Sequence, residues 1–407
     1  MREMKDSGIE WIGEIPKEWS YSKVKYHCSM KSGDNITSLN IEETSHYPVY
    51  GGNGQRGYFS QYNVDGDKIL IGRQGALAGN VHYVSGKFWA TDHAIVTTPF
   101  KDINILYFFY LLKGYELNRY AQDTAAQPGL AVSKIMNLAI YLPSVCEQQQ
   151  IANFLDTKCS EIDATAEDIQ KEISLLEDYK KSIITEAVTK GLNPDAEMKD
   201  SGIEWIGEIP KHWKVIRFKY IAIVKSNLVA PIRYMNYPQI APDVIEKNTG
   251  KIISHRSVEE ANVDSWNHLF YKGQILYSKI RPVLNKVVIA PYDGLCSADM
   301  YPISAKENVR FLQYIMLSAF FVKQVDLVTR DRIKMPKINQ DELGNILLVW
   351  TSKEEQQQIA DFLDSKCSEI DSLIADKKRQ LDILADYKKS LIYEYVTGKK
   401  EVPVKDF

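Results

Sequence analysis

The sequence predicts an α+β protein. Two pseudo-repeated domains, each a curved and mainly antiparallel sheet with helices, are separated by two long helices that pair as a coiled coil. Three observations carry this reading: a near-exact duplication of two flanking blocks, an apolar period of 3.5 residues after each domain, and short β-branched runs broken by glycine and proline inside each domain.

The duplication orders the chain. Residues 4–19 read MKDSGIEWIGEIPKEW and residues 198–213 read MKDSGIEWIGEIPKHW, with one difference. Residues 147–163 read EQQQIANFLDTKCSEID and residues 355–371 read EQQQIADFLDSKCSEID, with two. Between these blocks only a faint frame survives: Ile69–Leu70 matches Ile275–Leu276, Leu106 matches Leu312, and Asn137–Ile140 matches Asn345–Leu348. The expected parts are a first domain with its flank at 1–146, a long helix at 147–193, a second domain with its flank at 194–354, and a second long helix with a tail at 355–407. Duplicated flanks imply duplicated surfaces able to dock two copies of one partner, with Trp11, Trp205, Gln149 and Gln357 as candidate contacts. Divergent interiors on one frame imply two related domains that bind different things. A duplication kept for folding alone is the competing reading.

In the first long helix the apolar run is Leu155, Cys159, Ile162, Ala166, Ile169, Ile173, Leu176, Ile183 and Ala187, with Lys180 in the skipped slot. In the second it is Leu363, Cys367, Ile370, Ile374, Leu381, Leu384, Leu391 and Tyr395, interrupted by Lys377 and Lys388. Steps alternating between four and three residues mark a coiled-coil seam, about 50 Å long at 1.5 Å per residue. Neither helix has a second wide apolar stripe, so each finds its partner in the other. The linker KGLNPDAE, with Gly191 and Pro194, ends the first helix and starts the repeated flank again.

Within the first domain, strands are expected at Pro48–Tyr50, Lys68–Gly72, Asn80–Val84 and Ala94–Thr98; within the second, at Tyr237–Ile240, Gln274–Ser278, Lys286–Ala290 and Met300–Ile303. One apolar helix follows in each, around Leu106–Leu112 and Leu312–Val322. The polar side chains suited to reading base edges are expected in loops. YGGNGQRGY carries Asn53, Gln55 and Arg56; GRQGALAGN carries Arg73, Gln74 and Asn80; Gln127 precedes a Pro-Gly turn. The matching stretch of the second domain, SKIRPVLNK, carries Lys279, Arg281, Asn285 and Lys286, and RDRIK adds Arg330, Arg332 and Lys334. Asn, Gln and Arg pair donors and acceptors with adenine and guanine edges, and glycine admits close backbone approach. A plain polar turn is the competing reading of each loop.

The net charge of −3 looks unsuited to a nucleic acid, but residues 147–190 carry ten acids against five bases and residues 355–396 nine against six. Those segments sum to −8, leaving +5 on the rest. The five cysteines form no CxxC pair, which points to reduced thiols and no metal site. With no apolar leader and no apolar window long enough for a membrane span, a soluble cytoplasmic protein is expected. GxxxxGK[ST], an NPPY-like tetrapeptide and a glycine-rich AdoMet loop are all absent. Asp92–His93 could form a catalytic pair, but the second copy has no equivalent and no third partner is visible. No catalytic residue is assigned.

The GIEWIGEIPKEW flank, the EQQ-IA-FLD-K helix opening and the helix ends LLEDYKKSIITEAVTKG and ILADYKKSLIYEYVTGK resemble type I restriction–modification specificity subunits over the whole chain. The resemblance implies that the two variable regions are target-recognition domains, set in inverted orientation by an antiparallel pair of long helices that acts as a spacer. Each would read one half of a split site in double-stranded DNA, with half-sites about ten to fifteen base pairs apart. It also implies two methyltransferase subunits that use AdoMet on adenine N6, and two motor-nuclease subunits that use ATP and Mg2+, leaving this chain without cofactor or catalysis. A self-contained methyltransferase or nuclease, a coiled-coil adaptor that ignores DNA, and an orphan recombination donor remain alternatives on sequence alone.

Overall fold

A computed structural model describes residues 2–75, 77–124, 127–332 and 335–403, with only the backbone described at 122–124, 127 and 128. The chain forms two compact units: Met1–Ile169 with Arg379–Phe407, and Gln170–Lys378. Each unit thus holds one variable domain, the opening of one long helix and the end of the other.

In the first unit, strands Cys28–Ser32, Ala94–Pro99, Lys68–Gly72 and Val81–Val84 form an antiparallel sheet in that order. A second sheet holds Gly54–Phe59, Tyr47–Gly51 and Trp89–Ala90, the last two parallel. The apolar helix Ile105–Gly114 covers the first sheet, burying Tyr107, Phe108, Leu111 and Leu112. Each such side chain contributes about 1.5–3 kcal/mol on leaving water. Asn104 caps this helix by accepting from Tyr107 N (2.9 Å).

The second unit repeats the plan. Ala222–Val224, Met300–Ala305, Ile275–Ser278 and Val287–Ile289 form the antiparallel sheet; Leu228–Val229, Asn267–Phe270, Gly294–Cys296 and Gln239–Ile240 form the other, whose last pair is parallel. The mainly antiparallel sheet expected in each domain is present, divided into a four-stranded sheet, a second sheet and short two-stranded pairs. The single apolar helix expected here is also divided, into Val309–Leu317 and Ala319–Thr329, bent by 62°. Ser318 makes the break: its backbone is extended (ψ 154°) and its hydroxyl donates to Ile315 O, replacing a helical bond. Both pieces bury large apolar side chains, Phe311, Leu312, Phe320 and Phe321 among them. Among the described residues no single helix is long and apolar enough to cross a membrane.

The repeated flanks close each domain. Met4–Asp6 pairs with Glu14–Pro16 and Met198–Asp200 with Glu208–Pro210, above the fully buried Trp19 and Trp213. The following strands, Ser20–Lys23 and Lys214–Arg217, pair with Ala139–Leu142 and Leu347–Trp350, bringing the two ends of each domain together beside its long helix. All five cysteines are free, and burial pushes the Cys28 thiol up to about 12.

The long helices run Val145–Lys190 and Lys353–Val396. Within the first unit Phe154 stacks on Tyr395 (4.5 Å between centroids) and Lys388 donates to both oxygens of Asp163 (2.6 Å). Within the second, Lys377 meets Glu172 and Lys180 meets Asp371 (2.7 Å). Partners ascend one helix as they descend the other, so the pairing is antiparallel. The structure buries Leu155, Ile162, Ile169, Ile173, Leu363, Ile370, Ile374 and Leu391, and half-buries Leu176, Ile183, Leu381 and Leu384. At their ends the helices turn further residues, Ile184, Val188, Ile392 and Val396, into the domain cores.

Candidate nucleic-acid interface

The same backbone frame emerges from the main sheet of both domains. Where strand Lys68–Gly72 ends, Arg73 N donates to His93 O and Arg73 O accepts from Leu130 N, both at 2.9 Å. Where strand Ile275–Ser278 ends, Lys279 N donates to Asp299 O and Lys279 O accepts from Ile338 N, again at 2.9 Å. The loop that follows is closed by Gly72 N to Asn80 O (2.8 Å) in one copy and by Ser278 N to Lys286 O (3.0 Å) in the other. Arg73 and Lys279, His93 and Asp299, and Asn80 and Lys286 therefore hold equivalent places. The frame repeats while the side chains on it differ.

In the first domain this frame gathers four of the expected residues. Asn53 Oδ1 accepts from Asn80 Nδ2 (2.8 Å), Arg73 Nη1 donates to Ser32 Oγ (3.1 Å), and exposed Gln74 places Oε1 3.1 Å from His93 Nδ1. Gly52 lets the neighbouring hairpin approach: a Cβ there would lie 3.0 Å from His93 O. Gln55 and Arg56 are not in a loop. The hairpin turn is only Gly52–Asn53, so both lie, exposed, on strand Gly54–Phe59, with Arg56 folded across Gly51. The Gln127 side chain lies outside the described residues.

The second domain keeps fewer of its candidates free. Arg281 and Arg330 are exposed, and half-buried Lys279 holds its ammonium 5.5 Å from the Tyr301 ring centroid. Asn285 must be withdrawn from the set: it is 1% exposed and its amide donates to Met316 O (2.9 Å). Its φ of 45° is one Asn tolerates better than most residues, which accounts for its presence without any ligand. Lys286 donates to Pro242 O, and Arg332 is tied to Lys337 O and Glu342. Lys334 lies outside the described residues.

Sequence reasoning missed His93 as a member of this edge, and Asp299 with its ion-pair partner Lys337 (3.1 Å). Aligning WATDH with LCSAD, which precede equivalent strands, would have found the first two. His93 Nε2 stands 4.0 Å from Asp92 Oδ1, too far for the hydrogen bond a catalytic pair needs.

The candidate docking residues divide. Trp11 is already engaged, edge-on to Tyr115 (5.0 Å) and under the Arg119 guanidinium (4.4 Å), whereas Trp205 is 42% exposed. Gln149 and Gln357 are exposed, yet each accepts from the Asn that caps its domain's apolar helix: Asn104 (2.7 Å) and Asn308 (2.8 Å). The repeated EQQ opening thus has an internal role, fastening domain to long helix.

Two equivalent frames bearing unlike polar side chains, each backed by paired long helices, define a protein of two related domains. The family described as "Type I restriction modification DNA specificity domain" matches residues 16–175. The EcoDI type I restriction enzyme specificity subunit of Escherichia coli is 28% identical over 85% of this chain and 81% of its own length. The putative MjaX specificity subunit of Methanocaldococcus jannaschii is 27% identical over 96% of both. A chain solved in work on complex assembly and conformational transition of the type I R-M system shares the fold, with a TM-score of 0.67 at 12% identity, covering 95% of this chain and 99% of that one. Over most of its length the chain is thus similar to type I restriction enzyme specificity subunits.

Proposed function

We propose that this chain supplies the DNA address of a type I restriction–modification complex, each domain reading one part of a bipartite target through the edge described above. The carrying observation is the pair of backbone frames closed by equivalent hydrogen bonds, with Arg73, Gln74 and His93 in one and Lys279, Ile280 and Asp299 in the other. A shared frame presents different donors and acceptors to base edges in the same geometry, which is what two readers of unlike sequences require. Each mismatch costs only about 1–3 kcal/mol, so two covalently joined readers add discrimination that one lacks.

On this reading the duplicated flanks and helix openings dock two methyltransferase subunits, with exposed Trp205 as the clearest contact, and motor-nuclease subunits join through them. AdoMet, ATP and Mg2+ act on those partners, and this chain has no catalytic role. Adenine methylation requires the base to be flipped out of the duplex, so a partner beside each reader is the arrangement the chemistry needs. The test is to exchange residues 73–80 for 279–286 in the assembled complex and map methylated sites. Altered bases in one half of the target support the reading; an unchanged target overturns it.

A further inference from the structure

A cavity of about 440 Å³ opens in the first unit between the domain and the end of the second long helix. Lys113, Lys388, Lys389, His82 and Asn80 are among its walls. Lys388 uses two of its donors on Asp163 (2.6 Å each), and Lys389 meets Glu116, which Arg119 also shares. Lys113 makes no ion pair among the described residues; its ammonium lies over the Phe109 ring, 5.3 Å from the centroid. Of the three wall lysines, Lys388 and Lys389 each meet a carboxylate and Lys113 does not, leaving one positive charge over. His82 adds an Nε2 that is buried and without a hydrogen-bond partner.

The fold does not require this cluster. By the frame that matches Leu106 to Leu312 and Leu70 to Leu276, Ala319 stands at the Lys113 position and Val288 at the His82 position. There Ala319 N donates to Thr185 Oγ1 (3.2 Å). Burial and the Lys388 charge hold the Lys113 ammonium below its ordinary range, and burial and Lys113 lower His82. A half-buried unpaired lysine beside an unpaired imidazole is unfavourable unless an anion completes it.

We propose that this cavity binds a phosphate group, held by Lys113 and Lys388 with His82 Nε2 as a further donor. Asn80 belongs both to this wall and to the reading edge, so a backbone phosphate of bound DNA is the source we assign. That assignment, though not the anion site itself, rests on the proposed function.

The experiment titrates inorganic phosphate into the full chain, followed by calorimetry and by the His82 imidazole resonances. Saturable binding is expected, weakened about tenfold or more in Lys113→Met and largely kept in Lys113→Arg. Lys113→Met should melt no lower than the parent, since it removes an unpaired charge. No saturable binding up to about 50 mM phosphate, or equal binding in the Met variant, overturns the site. For the source, the salt dependence of duplex binding by the assembled complex should lose about one unit of slope in Lys113→Met. An unchanged slope with phosphate binding lost overturns the DNA assignment and points to a free phosphate-bearing ligand. Failure of the parent complex to bind DNA selectively would overturn the proposed function and leave the phosphate result standing.

Discussion

Gln74 and Asn285 show how differently two residues of the same chemical kind can be spent. Gln74 is exposed at the end of the first frame, with its Oε1 3.1 Å from His93 Nδ1. Gln74→Ala or Arg73→Ala should relax recognition in one half of the target by about 1–3 kcal/mol and leave the other half untouched; methylation mapping with half-site competitors reads this directly. Asn285 faces inward, and Asn285→Ala both orphans Met316 O and puts alanine at a φ of 45°. It should lower stability by about 1–3 kcal/mol, seen as a reduced melting temperature, with the target sequence unchanged. Residue types alone could pick out both as polar side chains near a strand end. Which faced water depended on packing against the helix Val309–Leu317, a contact remote in sequence.

Among the elements, the long helices were the most legible, because a 3.5-residue apolar period has one physical reading. What the period could not show is the role of the lysines that interrupt it. Lys180 and Lys388 reach across to Asp371 and Asp163, so the gaps in the apolar run are ion pairs within the interface. Burial pushes the Asp371 carboxyl upward, but the hydrogen bonds and charges of Lys180 and Lys251 outweigh it and hold it below the usual carboxylate range. A lowered folded value stabilises above the unfolded value near pH 4 and is lost as the pH falls through the folded one. Asp371→Asn should therefore lower stability at pH 7 by about 1 kcal/mol after solvent screening, and parent and variant should converge at a pH below the ordinary carboxylate range. A constant difference down to that pH would refute the pairing as its cause. The apolar helix expected across Leu312–Val322 went wrong for a local reason, since composition ran unbroken through Ser318 while its hydroxyl took the carbonyl the next turn needed.

At the scale of the whole molecule, the duplicated flanks predict partner number. Native mass measurement at saturating methyltransferase should find two copies on each chain, and a stable one-to-one assembly would sink the duplicated-surface argument. The flanks also show how one repeated block can serve two purposes. The EQQ glutamines bind the capping Asn104 and Asn308 identically in both copies. Trp11 and Trp205 part company because Tyr393 packs near Trp11 (6.2 Å) while the matching helix position is the small Thr185. Trp205→Ala should thus weaken partner docking with little loss of stability, while Trp11→Ala should destabilise its own unit by about 3 kcal/mol or more, a contrast that paired melting and partner-titration curves resolve.

By itself the sequence determined the repeat, the α+β class, the two paired helices and the strand ends where the candidate polar residues emerge. Periodicity and duplication are one-dimensional, and each has a single local cause. Tertiary structure alone decided that each compact unit draws on both long helices and how the strands of each domain divide among separate sheets. It also decided that Asn285 points inward, that His93 joins Arg73 and Gln74 at the candidate edge, and that Lys113 and Lys388 line one cavity. These depend on contacts between segments far apart in the chain, where burial and hydrogen-bond satisfaction, rather than residue type, assign each polar group its role.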